Sequence, residues 1–288
     1  MDRLTGFMRY RTISRPAQAG LRSAALAMVC GVAVAAAGCG STSSGGSAGQ
    51  SGQSGQGAKP LTARQAITDA AQTSAKLNTA AASVSINAGP EQLTENLQLQ
   101  LHPELKMSAT LSGVAGTGTI NEVIVGTTVY IKISSLAKSG KPWIKLSSSG
   151  SGASSVIHQL LQQASSGNLA TQAKLAEEVS GVHEAGHAVV GGVPTTRYAG
   201  TITPSAVLPH LPAGLRKLLT PMLSQIQGRL QVSYWIDAQH LIRKVTEVET
   251  VSGQKVTTTI VYTAINQPVH ITVPPASQVR NVSSLSGL

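Results

Sequence analysis

The chain has 288 residues and a formal net charge of +10, with 41% hydrophobic residues but only 3% aromatic ones, so Val, Ile, Leu and Ala must build its core. Arg3, Arg9, Arg11, Arg15 and Arg22 stand against Asp2 before residue 24, and without this leader the charge falls by 5 − 1 = 4, to +6. The remaining basic residues form no block and no aromatic residues are interleaved with them, which argues against a nucleic-acid partner.

The first 38 residues have the three parts of a secretory signal. An arginine-rich stretch ends at Arg22, an apolar run follows from Ala24 to Ala37, and small residues come before Cys39. A membrane-spanning helix needs about 20 apolar residues, and this run is shorter. We therefore predict that residues 1–38 are a signal peptide.

Cys39 is the predicted lipidation site. The segment Ala36-Ala37-Gly38-Cys39 resembles the bacterial lipobox, although that pattern usually has Leu where Ala36 stands. Cys30 lies inside the leader, so Cys39 is the only thiol of the mature chain, and acylation gives a reason for it. Ordinary signal-peptide cleavage with an incidental thiol is the alternative. The prediction places the protein on the outer face of the cell membrane, held there by the acylated cysteine.

Residues 39–59 carry this cysteine and a tether. From Gly40 to Lys59 the chain is composed almost wholly of Gly, Ser, Gln, Ala and Thr, which cannot bury enough surface to offset the entropy of ordering. Flexible-chain scaling gives it a mean reach of roughly 25 Å.

Residues 60–288 are predicted to form one β-rich domain. It opens with a helix, in which Thr62 is the cap and Gln65 completes a capping box. Alternation of apolar and polar residues then predicts strands at Leu93–Leu101, Leu105–Leu111, Thr119–Val125, Thr128–Ile133 and Trp143–Leu146. The connections are too short for crossover helices, which favours antiparallel pairing.

The middle of the chain changes to helical spacing. Short amphipathic helices are predicted at Val156–Ala164, with Leu160 and Leu161 on the apolar face, and at Leu169–Val179. A longer apolar stripe follows between Leu211 and Ile226, and Thr220-Pro221 within it is interpreted as the start of a new helix. The stripe contains Leu211, Leu215, Leu218, Leu219 and Met222.

The last third returns to strands, at Leu230–Asp237 and Val256–Ala264, and leaves the sheet at Val273-Pro274-Pro275. The predicted fold class is α+β, a curved antiparallel half-barrel sheet with short helices packed on its concave side. The inward face is expected to be aliphatic and nearly free of aromatic residues.

Three segments resemble the actinobacterial LppX/LprG group of lipoproteins, whose fold is LolA-like. They are Val190–Ile202, Trp235–Val245 and Pro268–Pro275, and the resemblance covers most of Lys59 to Val279. It implies a half-barrel that encloses an apolar cavity for the acyl chains of a lipid or glycolipid. It implies no catalytic residue and no cofactor.

One motif points to a different function. His183-Glu184-Ala185-Gly186-His187 is an H-E-x-x-H sequence, which on a helix places two histidines about 6 Å apart for zinc, with the glutamate as general base. On a strand they would be about 13 Å apart, too far to share one ion. Ser180-Gly181 before the motif and Gly191-Gly192 after it favour the strand.

We therefore expect a membrane-anchored lipid or glycolipid carrier without catalytic or metal site. Its expected cavity lining consists of Leu160, Leu161, Leu211, Leu215, Leu218, Leu219 and Met222. The alternatives are a tethered interaction module with a closed core and, with less support, a zinc metallopeptidase that uses His183, Glu184 and His187.

Overall fold

The computed structural model describes residues 61–74, 76–114, 118–136, 140–146, 178–210 and 213–282. In this part of the chain, the strands form one open, curved, mostly antiparallel sheet of twelve strands in the order β12-β6-β5-β4-β3-β2-β1-β11-β10-β9-β8-β7. The strands are β1 Thr79–Ala88, β2 Glu91–Gln100, β3 Lys106–Val114, β4 Gly118–Val125, β5 Thr128–Ile133, β6 Trp143–Leu146, β7 Ser180–Val190, β8 Val193–Ile202, β9 Leu230–Ile236, β10 Ile242–Val251, β11 Gln254–Ile265 and β12 Val279–Val282.

The helices are few and short. They are α1 Ala63–Ser74, α2 Pro204–Val207 and α3 Ala213–Leu223, with 3₁₀ turns at Ser134–Leu136, Leu208–His210 and Ala276–Gln278. No helix in the described ranges is long and apolar enough to cross a bilayer.

The sheet topology confirms the predicted meander and contains four strands that were not predicted, β1, β8, β10 and β12. Strand β1 was not expected, because its alanines are poor strand formers, but it pairs with both β2 and β11 and so joins the two halves of the chain. The short strand β12 pairs with β6 in parallel, the one departure from antiparallel pairing among the described strands.

The two faces of the sheet differ in character. We call the face that carries Val84 and Ile86 the helix-side face, because α1 packs against it. On β1 every second residue points to this face and is buried, whereas Ser83 and Ser85 on the outer face keep contact with water. Side chains alternate between the faces of a strand, so pairing register assigns every other strand residue to one face.

Helix α1 forms as the sequence predicts. The backbone N–H of Thr62 donates to Gln65 Oε1 at 3.0 Å, and the Gln65 N–H donates back to Thr62 Oγ1 at 3.3 Å. This is the predicted capping box. The helix buries Ile67 and Ala70 against the sheet and contacts β7, β9 and β10.

Helix α3 differs from the prediction at Pro221. The chain does not start a new helix there, since one helix runs from Ala213 to Leu223 with Pro221 in its last turn. Proline removes one N–H from the helical ladder. The Thr220 hydroxyl donates to the Arg216 carbonyl at 2.6 Å, and the Ser224 N–H donates to the Thr220 carbonyl at 3.0 Å, so the turn continues around the proline.

Two apolar clusters lie on the helix-side face. The first joins α1 to β1 and β9–β11 and includes Val232, Val245 and Val256. The second lies on β2–β6 and the connection after β2, and includes Leu99, Leu101, Leu105, Ile124, Val129 and Ile144. The apolar surface therefore extends across nearly the whole sheet.

Gly113 is the glycine with the tightest backbone requirement in the described sheet. It lies at an irregularity of the β3–β4 ladder with φ +93°, and a Cβ there would come within 2.2 Å of the Gln92 carbonyl oxygen. We expect Gly113→Ala to lower the free energy of unfolding by about 3 kcal/mol, since it combines left-handed strain with a backbone clash.

The matched control is Gly191→Ala, where φ is +56° but nothing lies within 4 Å of the added Cβ. This variant should lose only about 1–2 kcal/mol, from strain alone. Urea unfolding measures both, and equal losses would contradict the role assigned to the clash.

Candidate functional site

The predicted cavity-lining residues are only partly within the described chain. Leu160, Leu161 and Leu211 lie outside the described residues. Four more belong to α3, where only their backbone is described: Leu215, Leu218, Leu219 and Met222. Their role in lining a cavity therefore stays a prediction.

The H-E-x-x-H motif lies on a strand. It forms the middle of β7, where His183 is opposite Ala199 and His187 is opposite Thr196. Thr196 and Ala199 point to opposite faces of β8, so the two histidines do as well. The described residues contain no cluster of three or more His, Cys, Asp or Glu side chains that could hold a metal ion.

The contacts of the motif are those of an exposed polar strand. His187 Nε2 lies 3.3 Å from Glu184 Oε1, and both side chains are more than half exposed. His183 Nδ1 lies 2.9 Å from the Gly181 carbonyl oxygen. Each histidine thus has a local partner, and the geometry gives no support to the zinc metallopeptidase alternative.

Charged residues of the strands separate between the two faces. The helix-side face carries the glutamates, namely Glu91, Glu95, Glu122, Glu184, Glu247 and Glu249. The outer face carries Lys106, Lys132, Lys145, Arg197, Lys244 and Lys255. Arg243, at the β10 bulge beside Asp237, and Arg280, opposite Ile144 on β12, depart from this pattern.

On the outer face the cations have aromatic partners. Trp235 lies beneath the guanidinium of Arg197, at 5.2 Å, and the ammonium of Lys244, at 4.5 Å. Arg197 also donates to the Ser233 hydroxyl at 3.1 Å. Cation–π contacts such as these keep the basic groups on the wet side of the sheet.

The glutamates of the helix-side face lie among aliphatic neighbours. On β10, Glu247 is opposite Thr258 and Val232, and Glu249, two residues further on the same face, is opposite Val256. We call Glu247 and Glu249 the β10 carboxyl pair. Their Cβ atoms are about 7 Å apart on one strand face.

A second pair lies on the other half of the sheet. Glu95 on β2 stands between Val84 and Leu111, and it is 6% exposed. Glu122 on β4 stands between Ala109 and Ile131. Strand β3 separates the two carboxyls, so each is surrounded mainly by apolar side chains.

Burial raises the pKa of all four carboxyls. It raises the pKa of Glu247 to about 8, with a further contribution from the charge of Glu249, and it raises the pKa of Glu249 to about 7. Burial also raises the pKa of Glu122 to about 7, to which Glu95 adds, and raises that of Glu95. Removal from water disfavours the charged form, so Glu247, with the highest of these pKa values, holds its proton at neutral pH.

Glu249 lacks a full set of partners. Its residue is 7% exposed, and its Oε2 atom accepts no hydrogen bond in the described structure. A buried polar atom without a partner costs about 1–3 kcal/mol, and native proteins contain few of them. Such a site can be satisfied by a donor that comes from outside the chain.

These glutamates are not among the site residues predicted from the sequence, although the sequence contains a signal for them. Aliphatic residues stand two positions before or after each of them. Leu93 and Leu97 flank Glu95 in this way, and Ile120 and Ile124 flank Glu122. The same alternation that placed the apolar residues on one face places these carboxyls beside them. They were not singled out because a glutamate in a strand is usually assigned to the wet face.

The expectation of a nearly aromatic-free inner face is wrong. Tyr198, Tyr234 and Tyr262 lie on the helix-side face and pack into its first apolar cluster. Burial and the nearby Glu247 raise the pKa of Tyr262 to about 12, so this phenol keeps its proton. The helix-side face is therefore mainly apolar but carries tyrosine hydroxyls and glutamate carboxyls.

The raised pKa values predict how stability depends on pH. Because the folded pKa values of Glu247 and Glu249 exceed the usual 4.5, the folded protein holds more protons than the unfolded chain between about pH 4.5 and 8. The stability linked to these protons is present at low pH and is lost as the pH rises through 7 to 8. Replacing both residues with Gln should remove that loss.

Urea unfolding between pH 5 and 8 tests this expectation. The stability gained by the double Gln variant over the wild type should grow with pH, by at most about 1.4 kcal/mol per pH unit for each proton involved. Glu184→Gln, at an exposed glutamate of the same face, should track the wild type. Parallel pH profiles for the double variant and the wild type would show that the pair is ordinarily solvated.

Comparison with known proteins identifies similar structures but no family model. No protein-family model and no curated protein matches the chain. LprF from Mycobacterium bovis is 16% identical, with a TM-score of 0.49 over 74% of this chain and 96% of that one. The Mycobacterium tuberculosis lipoprotein LppX is 15% identical, with a TM-score of 0.47 over 73% and 98%. A LolA superfamily protein from Nitrosomonas europaea is 8% identical, with a TM-score of 0.25 over 75% and 96%.

Proposed function

We propose that this protein is an exported lipoprotein that binds the acyl chains of a lipid or glycolipid on the helix-side face of its sheet and carries that lipid at the cell envelope. In this proposal it is a binding protein without enzymatic activity or resident cofactor. Cys39, once acylated, holds it on the outer face of the cell membrane through the tether.

The observation that carries the proposal is the extent of the apolar face. Helix α1 contacts β7, β9 and β10, whereas the second apolar cluster lies on β2–β6. An apolar sheet face must be covered by a second layer. Among the described α-helices, none contacts strands β2–β6 as α1 contacts β7, β9 and β10. We propose that an apolar ligand, together with other parts of the chain, covers the apolar face of β2–β6.

The sequence also contains apolar residues that could line the proposed cavity on the side opposite the sheet. The predicted lining residues Leu160, Leu161, Leu211, Leu215, Leu218, Leu219 and Met222 belong to connections between strands of this sheet. We propose that the short helices lie on the concave side and that these residues face the acyl chains. The alternative is an interaction module in which the same residues form a closed core.

The lining of the proposed cavity can be tested with two neighbouring residues on opposite faces. Met107 is half-buried beside the second apolar cluster, and Ser108 points to the outer face. Met107→Trp should fill space that the ligand uses, so a fluorescent lipid should bind at least several-fold more weakly with little change in stability. Ser108→Trp should leave binding unchanged.

A closed core gives a different result in the same experiment. There, Met107→Trp would overpack the interior and lower the free energy of unfolding by about 1–3 kcal/mol, and the wild type would take up no lipid. Fluorescence titration and urea unfolding of both variants distinguish the carrier from the closed module.

The anchor is tested at Cys39. Cys39→Ser should abolish acylation and release the protein from the membrane fraction, because the apolar leader run is too short to span a bilayer. Metabolic labelling with a fatty acid and membrane fractionation measure both effects. A Cys39→Ser protein that still carried the label would contradict the proposed anchor.

A further inference from the structure

The β10 carboxyl pair has no evident structural use. An ion pair is the usual reason for a buried glutamate, but the flanking lysines of β10 and β11, Lys244 and Lys255, point to the outer face. Helix α1 buries only Ala66, Ile67, Ala70, Ala71 and Ser74 against this region, none of which is charged. Glu249 Oε2, moreover, accepts no hydrogen bond in the described structure, although Glu249 is more than nine-tenths buried.

The surroundings of the pair make a small polar area within the apolar face. Thr258, 3% exposed, stands directly opposite Glu247 on β11. Tyr262 lies on the same face of β11 and its phenol is close enough to feel the charge of Glu247. Two carboxyls and two hydroxyls therefore lie on one face among aliphatic residues, and polar groups in an apolar lining are what fix the orientation of a ligand's polar group.

We propose that Glu247 and Glu249 are the polar subsite of the lipid site and that they bind neutral hydroxyl groups of the ligand, such as those of a glycerol or sugar head. This inference rests on the proposed function. It adds a chemical class of ligand, a hydroxylated neutral lipid, to the binding of acyl chains.

The chemistry of the groups selects hydroxyls over other head groups. A protonated carboxyl has one O–H donor and a carbonyl acceptor, and an alcohol has the same two functions, so the two can exchange paired hydrogen bonds. Buried carboxyls without a cation nearby resist ionisation, and burial raises the pKa of both members of the pair. A phosphate head would be repelled by any neighbouring carboxylate. Among the described cations of β10 and β11, Lys244 and Lys255 point to the outer face, and Arg243 at the β10 bulge is already paired with Asp237.

The test uses the full chain and four probes that share one fluorescent hydrocarbon chain. The probes are the methyl ester, the glycerol monoester with its two free hydroxyls, the alkyl phosphate and the alkyl amine. The wild type should bind the glycerol ester about 10-fold more tightly than the methyl ester, since two added hydrogen bonds each contribute a few-fold. It should not prefer the phosphate or the amine to the glycerol ester.

Three variants identify the source of that preference. Glu247→Met with Glu249→Met should reduce the preference to less than about 2-fold while methyl ester binding is retained, because Met keeps the volume and removes the oxygens. Glu249→Gln should keep most of the preference, since an amide also donates and accepts. Glu184→Met, at the exposed edge of the same face, is the matched control and should behave as the wild type.

The failures of the two proposals are distinguishable. If no probe binds, the proposed lipid-binding function is wrong and the subsite falls with it. If all probes bind but the double Met variant keeps the full preference for the glycerol ester, the function stands and the subsite is wrong. A preference for the amine probe that the double Met variant loses would overturn the hydroxyl assignment in favour of a cation site.

Discussion

The alternation of side chains across the sheet is the constraint on which the rest of this structure depends. A slip of one residue in any strand would exchange its two faces, moving lysines such as Lys244 into the apolar layer and valines such as Val245 into water. The separation of glutamates from lysines and arginines makes such a slip costly at both faces. Register in this domain is therefore specified twice, by hydrophobic burial and by charge.

The same alternation explains why the helix-side face is both apolar and acidic. A strand that buries Val245 and Val251 must also turn the residues between them at even spacing, Glu247 and Glu249, to that face. Buried carboxyls reduce stability, and the rest of the core must offset that cost. An inner face built only for stability would have aliphatic residues at these positions, so their presence directs attention to binding.

Much of the fold follows from local signals in the sequence. The Thr62 and Gln65 capping box, the alternating strands between Leu93 and Leu146, and the strand conformation of the H-E-x-x-H segment were all predictable from patterns within a few residues. Strand β1 was not, because its Ala-rich sequence gains strand character only from pairing with β2 and β11. The continuous helix through Pro221 was not predicted either, because a general rule for proline does not show that the helical hydrogen bond from Ser224 to Thr220 can form past it. At the candidate site, the positions of the glutamates could be deduced from spacing. That Glu249 Oε2 accepts no hydrogen bond in the described structure could not, since this depends on which side chains the neighbouring strands bring to the face.

Strand β7 is the edge strand at one end of the described sheet, and its irregular backbone affects whether two molecules can pair their sheets. Among the described strands only β8 pairs with it, so within this part of the chain one row of its backbone N–H and C=O groups has no strand partner. Its ladder shifts register on either side of His183-Glu184, Gly186 adopts φ +114°, and its exposed side chains include ionisable ones. Bulges and charge of this kind prevent a second copy from adding a strand in register, which protects an open sheet from edge-to-edge aggregation. The motif that resembles a zinc site is then part of what keeps neighbouring molecules from joining their sheets.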